Sequence, residues 1–139
     1  LKGLALFEPP DSLFDSLSGY NPANNDIGPV REAFVAYQEL ISRFPDSRYA
    51  PDTRRRLIYI INVLATHEVE VARYYYAMGA DVAAANRARS VLETYRTSSA
   101  VEDALGIMIK AYARMGLEEL HSDALRVLKL NYPDSPYLN

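Results

Sequence analysis

The chain has 139 residues, with 15 Lys and Arg against 18 Asp and Glu for a net charge of −3, and it contains no cysteine. That length suits one domain able to bury roughly two-thirds of its unfolded surface, and the missing cysteines exclude disulfides, thiolate metal sites and cysteine nucleophiles without fixing a redox compartment. Arginines scattered among acids leave no basic stripe, so nucleic acid is not expected as a partner, and no apolar run approaches the roughly 18 residues that span a bilayer.

At the start, Leu1, Leu4, Ala5 and Phe7 fit the last turns of an apolar-faced helix over 1–7, stopped by Glu8-Pro9-Pro10. The chain begins with Leu1, not Met, and carries no basic-then-apolar signal segment. It reads as the C-terminal portion of a longer repeat protein, with any targeting signal or lipid-bearing cysteine expected upstream. Residues 8–28 are rich in Pro, Asn, Asp, Ser and Gly around the apolar anchors Leu13, Phe14, Leu17 and Tyr20, and predict a long, partly packed loop.

Helical repeats are expected over 29–139. Pro29 opens a helix whose Ala33, Tyr37, Leu40, Ile41 and Phe44 follow three- and four-residue steps up to Pro45. Asp46 or Ser47 is placed to cap the next helix, and nothing interrupts that helix before Gly79, which predicts about 30 residues and on the order of 45 Å. Two stripes run along it: Leu57, Ile61, Leu64, Val71 and Tyr75, and beside them Ile58, Ala65, Val69, Ala72 and Tyr76. A helix held between two neighbours needs both.

Asp81 is placed to cap a helix reaching Tyr95, with Ala84, Ala85, Ala88, Val91, Leu92 and Tyr95 inward and Asn86, Arg87, Arg89, Ser90 and Glu93 on the other face. Ser98 or Ser99 opens the next, with Val101, Ala104, Leu105, Met108, Tyr112 and Met115 as its stripe and Gly116 as terminator. Leu117, Leu120, Ala124, Leu125 and Leu128 make the last helix, and Pro136, Tyr137 and Leu138 begin either another helix or a tail.

The punctuation between these helices repeats. Phe44-Pro45-Asp46-Ser47 returns as Tyr132-Pro133-Asp134-Ser135, with Tyr95-Arg96-Thr97-Ser98 as a looser copy. Tyr95 and Tyr132 lie 37 residues apart, and Tyr75-Tyr76-Ala77-Met78-Gly79 recurs 37 residues later as Tyr112-Ala113-Arg114-Met115-Gly116. Two independent marks on one period predict an all-α, TPR-like solenoid of helical hairpins, an architecture that usually offers a binding surface. The long helix is the exception. Ser47 to Gly79 exceeds Ser98 to Gly116 by 14 residues, close to four turns, so its facing is preserved.

Chemistry is scarce. His67-Glu68 starts a zinc-protease motif, but position 71 is Val, and the only other histidine is His121. His67 is expected to be a polar break hydrogen-bonded to a neighbour. Glu68 and Glu70 face different sides, Glu118-Glu119 suit a helix N-terminus, and no nucleophile elbow or phosphate-binding glycine loop occurs. No catalytic residue, metal or cofactor is expected. Periodicity assigns most tyrosines to packing, leaving Tyr74 as the surface candidate, and Arg54-Arg55-Arg56 reads as a solvated face offset by Asp46 and Asp52, the alternative being a docking patch for an acidic partner.

Pro45-Asp46-Ser47-Arg48-Tyr49, Asp52, Arg56-Leu57, Val71-Ala72-Arg73-Tyr74-Tyr75, Gly79-Ala80, Val82-Ala83 and Asn86-Arg87 together resemble the second half of the BamD (ComL/YfiO) outer-membrane assembly lipoproteins, over roughly Pro29 to Tyr132. The resemblance implies a non-catalytic TPR scaffold at the periplasmic face of the outer membrane of a Gram-negative bacterium. It also implies that the chain is the half that docks the BamA POTRA region and other Bam lipoproteins, with membrane association only through an N-terminal lipid anchor absent here. In that family the arginine of the Asn-Arg pair contacts the POTRA region; Arg87 matches it, and with Asn86 and Arg89 it is the expected partner-binding site, a charge-assisted contact to an acidic residue. Substitution Arg87→Glu is then expected to weaken POTRA binding while leaving melting unchanged. The alternatives are another periplasmic TPR adaptor, CpoB-like and coordinating the cell envelope, and a helical accessory domain of an envelope enzyme.

Overall fold

The protein is described by a computed structural model over residues 27–139. The helix end expected over 1–7 and all but the last residues of the loop expected over 8–28 lie outside the described residues. Within them the secondary structure is helical: α1 (Gly28–Arg43), α2 (Ala50–Ala77), α3 (Asp81–Thr94), α4 (Val101–Met115), α5 (Glu118–Asn131) and a closing 3-10 turn (Pro136–Leu138). The 28-residue α2 is the long helix that the uninterrupted pattern predicted. Contacts divide the chain into two compact units, Leu1–Leu64 and Ala65–Asn139, with the division inside α2.

In the first unit, α1 starts with Pro29 in its opening turn, where a missing N–H costs nothing. It buries Val30, Ala33, Tyr37 and Leu40, one stripe at helical spacing. The first half of α2 buries Ala50, Thr53, Ile60 and Leu64, and Arg56 donates to the Tyr37 hydroxyl at 3.4 Å. Asp52 pairs with Arg55 and Arg56 along α2, offsetting the arginine run as expected, and Arg54 reaches back to the Pro45 carbonyl. Ile58, placed in an inward stripe by its spacing, is exposed.

In the second unit, the later part of α2 and helices α3, α4 and α5 share one core, with α3 packed on α4 and α4 on α5. The inner face of α3 is Ala84, Ala85, Ala88 and Val91, as the spacing predicted. Helix α4 is more enclosed than its expected stripe: Gly106, Ile107, Ile109 and Ala111 are buried along with Val101, Ala104, Leu105, Met108 and Tyr112. A helix apolar on nearly every side is one covered on nearly every side, so the central place in this unit belongs to α4. On α5 only Ala124 and Leu128 are buried, whereas Leu117 and Leu120, expected inward, are exposed.

Two turn types alternate. After α2 and α4 the chain passes through Gly79 (φ 81°) and Gly116 (φ 70°), left-handed positions where a side chain is strained. Each closes a Schellman motif: Gly79 and Ala80 donate to the Tyr76 and Tyr75 carbonyls, and Gly116 and Leu117 to those of Ala113 and Tyr112. The repeated aromatic turns share another geometry. Phe44, Tyr95 and Tyr132 each donate back to the residue four before, and their carbonyls accept from Ser47, Ser98 and Ser135.

Ser135 is the N-cap of the closing 3-10 turn, whereas Ser47 and Ser98 make no capping bond to the α-helices that follow them. Ser47 and Ser135 Oγ accept from the backbone N–H two residues on, Tyr49 at 3.2 Å and Tyr137 at 3.3 Å, while Ser98 Oγ is buried with no hydrogen-bond partner. Ala80, Ala100 and Leu117 occupy the N-cap positions without side-chain bonds. Acids in the first turns, Asp81, Glu102, Asp103, Glu118 and Glu119, supply the negative charge that a helix N-terminus favours.

Candidate functional site

Helix α3 carries the expected site on its outer side. Val82, Asn86, Arg89 and Glu93 recur at four-, seven- and eleven-residue offsets, one line along the helix, and all four are exposed. Arg89 is held within this line, donating to Asn86 Oδ1 at 3.3 Å and pairing with Glu93 at 3.5 Å.

Arg87 sits off that line, toward α2. Its Nη1 lies 3.3 Å from Oε2 of Glu68 on α2; the Glu68 side chain is 10 % exposed and the Arg87 side chain 42 %. Ser90, one turn along α3, places its hydroxyl 3.3 Å from the same oxygen and 2.6 Å from the Arg87 carbonyl. The three expected residues therefore share a helix surface, but only Arg87 is tied by an ion pair to another helix. This changes the expected consequence of Arg87→Glu. A second carboxylate beside buried Glu68 would destabilise the α2–α3 contact, so melting would not stay unchanged.

Glu68 was legible in the sequence only as half of a rejected acidic pair. Its true partner lies 19 residues on, a separation that no helical period links. His67 differs from expectation too: its Nδ1 is buried without a hydrogen-bond partner. Among the described residues no group of three or more His, Asp and Glu is placed to hold a metal ion, and no helix is long and apolar enough to cross a membrane.

Two further clusters join elements of this unit. Arg114, near the end of α4, stacks 3.7 Å over the Tyr76 ring, donates to the Tyr76 carbonyl at 2.6 Å and binds Asp81 Oδ1 through Nε at 2.8 Å and again through Nη2. Hydrogen bonding to Arg114 lowers the Asp81 carboxyl below its ordinary value, and the same bond raises the guanidinium. One side chain thereby joins the ends of α2 and α4 to the start of α3.

The second cluster receives the chain terminus. Asp103, Gly106 and Lys110 share one face of α4, and Tyr137 lies across it. Its hydroxyl donates to Asp103 Oδ1 at 2.6 Å and lies 3.5 Å from Arg73, while Lys110 stands over the ring at 5.5 Å. A Cβ on Gly106 would come within 2.6 Å of ring carbon Cγ, so the ring needs a glycine there. Burial first, and the bond to Asp103 second, raise the Tyr137 phenol above its ordinary value. A faint signal existed, because Tyr137 follows Pro133-Asp134-Ser135 as Tyr49 follows Pro45-Asp46-Ser47.

A helical array with repeated aromatic turns agrees with the family comparison, in which a family model described as an outer membrane lipoprotein, YfiO, matches residues 1–128. The chain belongs to the YfiO family. Outer membrane protein assembly factor BamD from Neisseria meningitidis serogroup A is 40 % identical over 138 residues, covering 99 % of this chain and 52 % of the relative. BamD of Xylella fastidiosa strain 9a5c is 35 % identical over 116 residues (84 % of this chain, 40 % of the relative), and that of Haemophilus influenzae is 35 % identical over 121 (87 % and 46 %). The chain thus spans about half the length of these curated YfiO-family relatives. The family model's match begins at residue 1, ahead of the Pro29–Tyr132 stretch in which motifs were recognised. It favours the assembly-factor reading over the CpoB-like adaptor and the enzyme accessory domain.

Proposed function

We propose that this chain is the docking half of a non-catalytic scaffold subunit of the complex that assembles β-barrel proteins into the outer membrane, acting at the periplasmic face. It binds the POTRA region of BamA through Arg87, with Asn86 and Arg89 beside it. The observation that carries the reading is likeness along 99 % of the chain to proteins named as assembly factors. The exposed line Val82, Asn86 and Arg89, flanked by Arg87, supports it by combining an apolar side chain with cationic ones, the mixture found at protein interfaces.

The test is titration of a purified POTRA fragment with parent and Arg87→Gln proteins. Gln removes the charge without setting two carboxylates together. A half-exposed charged contact predicts weakening of roughly tenfold, the equivalent of about 1.4 kcal/mol, growing at low salt. Equal affinity of the two proteins at every salt concentration rules out Arg87 as the contact.

A further inference from the structure

We infer that Glu68 is a positioning residue for partner binding: buried on α2, it holds the Arg87 guanidinium by its inner nitrogen so that the opposite edge is presented to a carboxylate on the partner. This rests on the reading of Arg87 as the contact and adds how that contact is prepared.

The geometry gives Glu68 and Arg87 unequal parts. The carboxylate is almost wholly enclosed, and its Oε2 meets both Nη1 of Arg87 and the hydroxyl of Ser90, two groups one turn apart on α3. A guanidinium is a planar fork with five N–H donors. Binding inward through Nη1 points the Nε–Nη2 edge away from Glu68, and that edge can bind a carboxylate by two parallel hydrogen bonds. The partial exposure of Arg87 fits a side chain gripped on one side and open on the other. Arg89 differs, because its contacts are to exposed residues of its own helix.

A side chain already held in its bound rotamer loses less freedom on association, and each rotamer-rich side chain so prepared changes affinity by roughly 2- to 10-fold. Opposing this, Glu68 repels an approaching carboxylate. The intervening guanidinium carries the compensating charge, so the fixed orientation is expected to dominate. The Ser90 hydroxyl lies 3.3 Å from the same oxygen and shares its one proton between that oxygen and the Arg87 carbonyl at 2.6 Å.

The experiment measures binding of the POTRA fragment to the parent chain, Glu68→Gln, Arg87→Gln and the double variant, with Ser90→Ala as a further variant that changes no charge. Glu68→Gln is expected to weaken binding roughly 2- to 10-fold in the parent background and to have no further effect beside Arg87→Gln. Ser90→Ala is expected to weaken it in the same direction by about twofold. A purely structural role for Glu68 would weaken both backgrounds alike, and that result overturns the inference. Parent-like or tighter binding by Glu68→Gln also overturns it, while leaving Arg87 as the contact if Arg87→Gln is weak. Parent-like binding by Arg87→Gln overturns both.

Discussion

Gly106→Ala sets two opposed effects against each other in one residue. In a helix interior alanine is better than glycine by about 1 kcal/mol, but its methyl would overlap the Tyr137 ring and displace the terminal turn. Docking that ring takes roughly 100 Å² of apolar surface out of water, about 2.5 kcal/mol, and the bond to Asp103 adds about 1 kcal/mol. Fixing the backbone of Tyr137 itself offsets about 1–2 kcal/mol of this, the rest of the turn being held by its own hydrogen bonds and by Leu138, which leaves a net contribution of about 2 kcal/mol. Gly106→Ala is therefore expected to destabilise the parent by about 1 kcal/mol, yet to stabilise the Tyr137→Ala variant by about 1 kcal/mol, because nothing remains there to clash. Urea unfolding followed by circular dichroism on the four proteins gives the cycle directly. If Gly106→Ala has the same sign in both backgrounds, Tyr137 does not occupy the slot on α4.

The other glycines separate backbone strain from crowding. At Gly79 and Gly116 an added Cβ meets nothing within 4 Å, so Gly→Ala is expected to cost about 1–2 kcal/mol from the left-handed backbone alone, with no rescue by trimming neighbours. Leu128→Ala removes a wholly buried side chain from α5 and should cost about 2–5 kcal/mol in the same assay. Asp81 gives a pH signature: its folded pKa lies below the unfolded value, so its contribution is present above the ordinary carboxyl range and is lost as pH falls through the folded pKa. The stability gap between parent and Arg114→Gln should thus be full at neutral pH and narrow in strong acid to what the Tyr76 contacts contribute; a gap that widens on acidification would contradict the Asp81–Arg114 pairing.

The local physics of the helices was legible in the sequence. Prolines, glycines and the 37-residue recurrence located every helix of the described residues, and the alanine face of α3 could be read from spacing alone. Facing was harder where tertiary packing decides it. The pattern of α4 showed one stripe, but Gly106 and Ile109 are buried because other parts of the chain cover them. The serine caps expected at α2 and α4 failed because Ser47 bonds within its own turn and Ser98 Oγ has no partner, whereas Ser135 caps the closing 3-10 turn; sequence spacing does not resolve that competition. At the site, Arg87 came from family likeness, whereas Glu68 became visible only when α2 and α3 were side by side.

Most packing in residues 65–139 joins helices adjacent along the chain, but Tyr137 reaches Arg73 across 64 positions. Closing so long a span has an entropic cost that short hairpins avoid, so the terminal tyrosine should settle after the rate-limiting barrier has been crossed. Such a late contact acts as a clasp: removing it should accelerate unfolding while leaving the speed of folding nearly untouched.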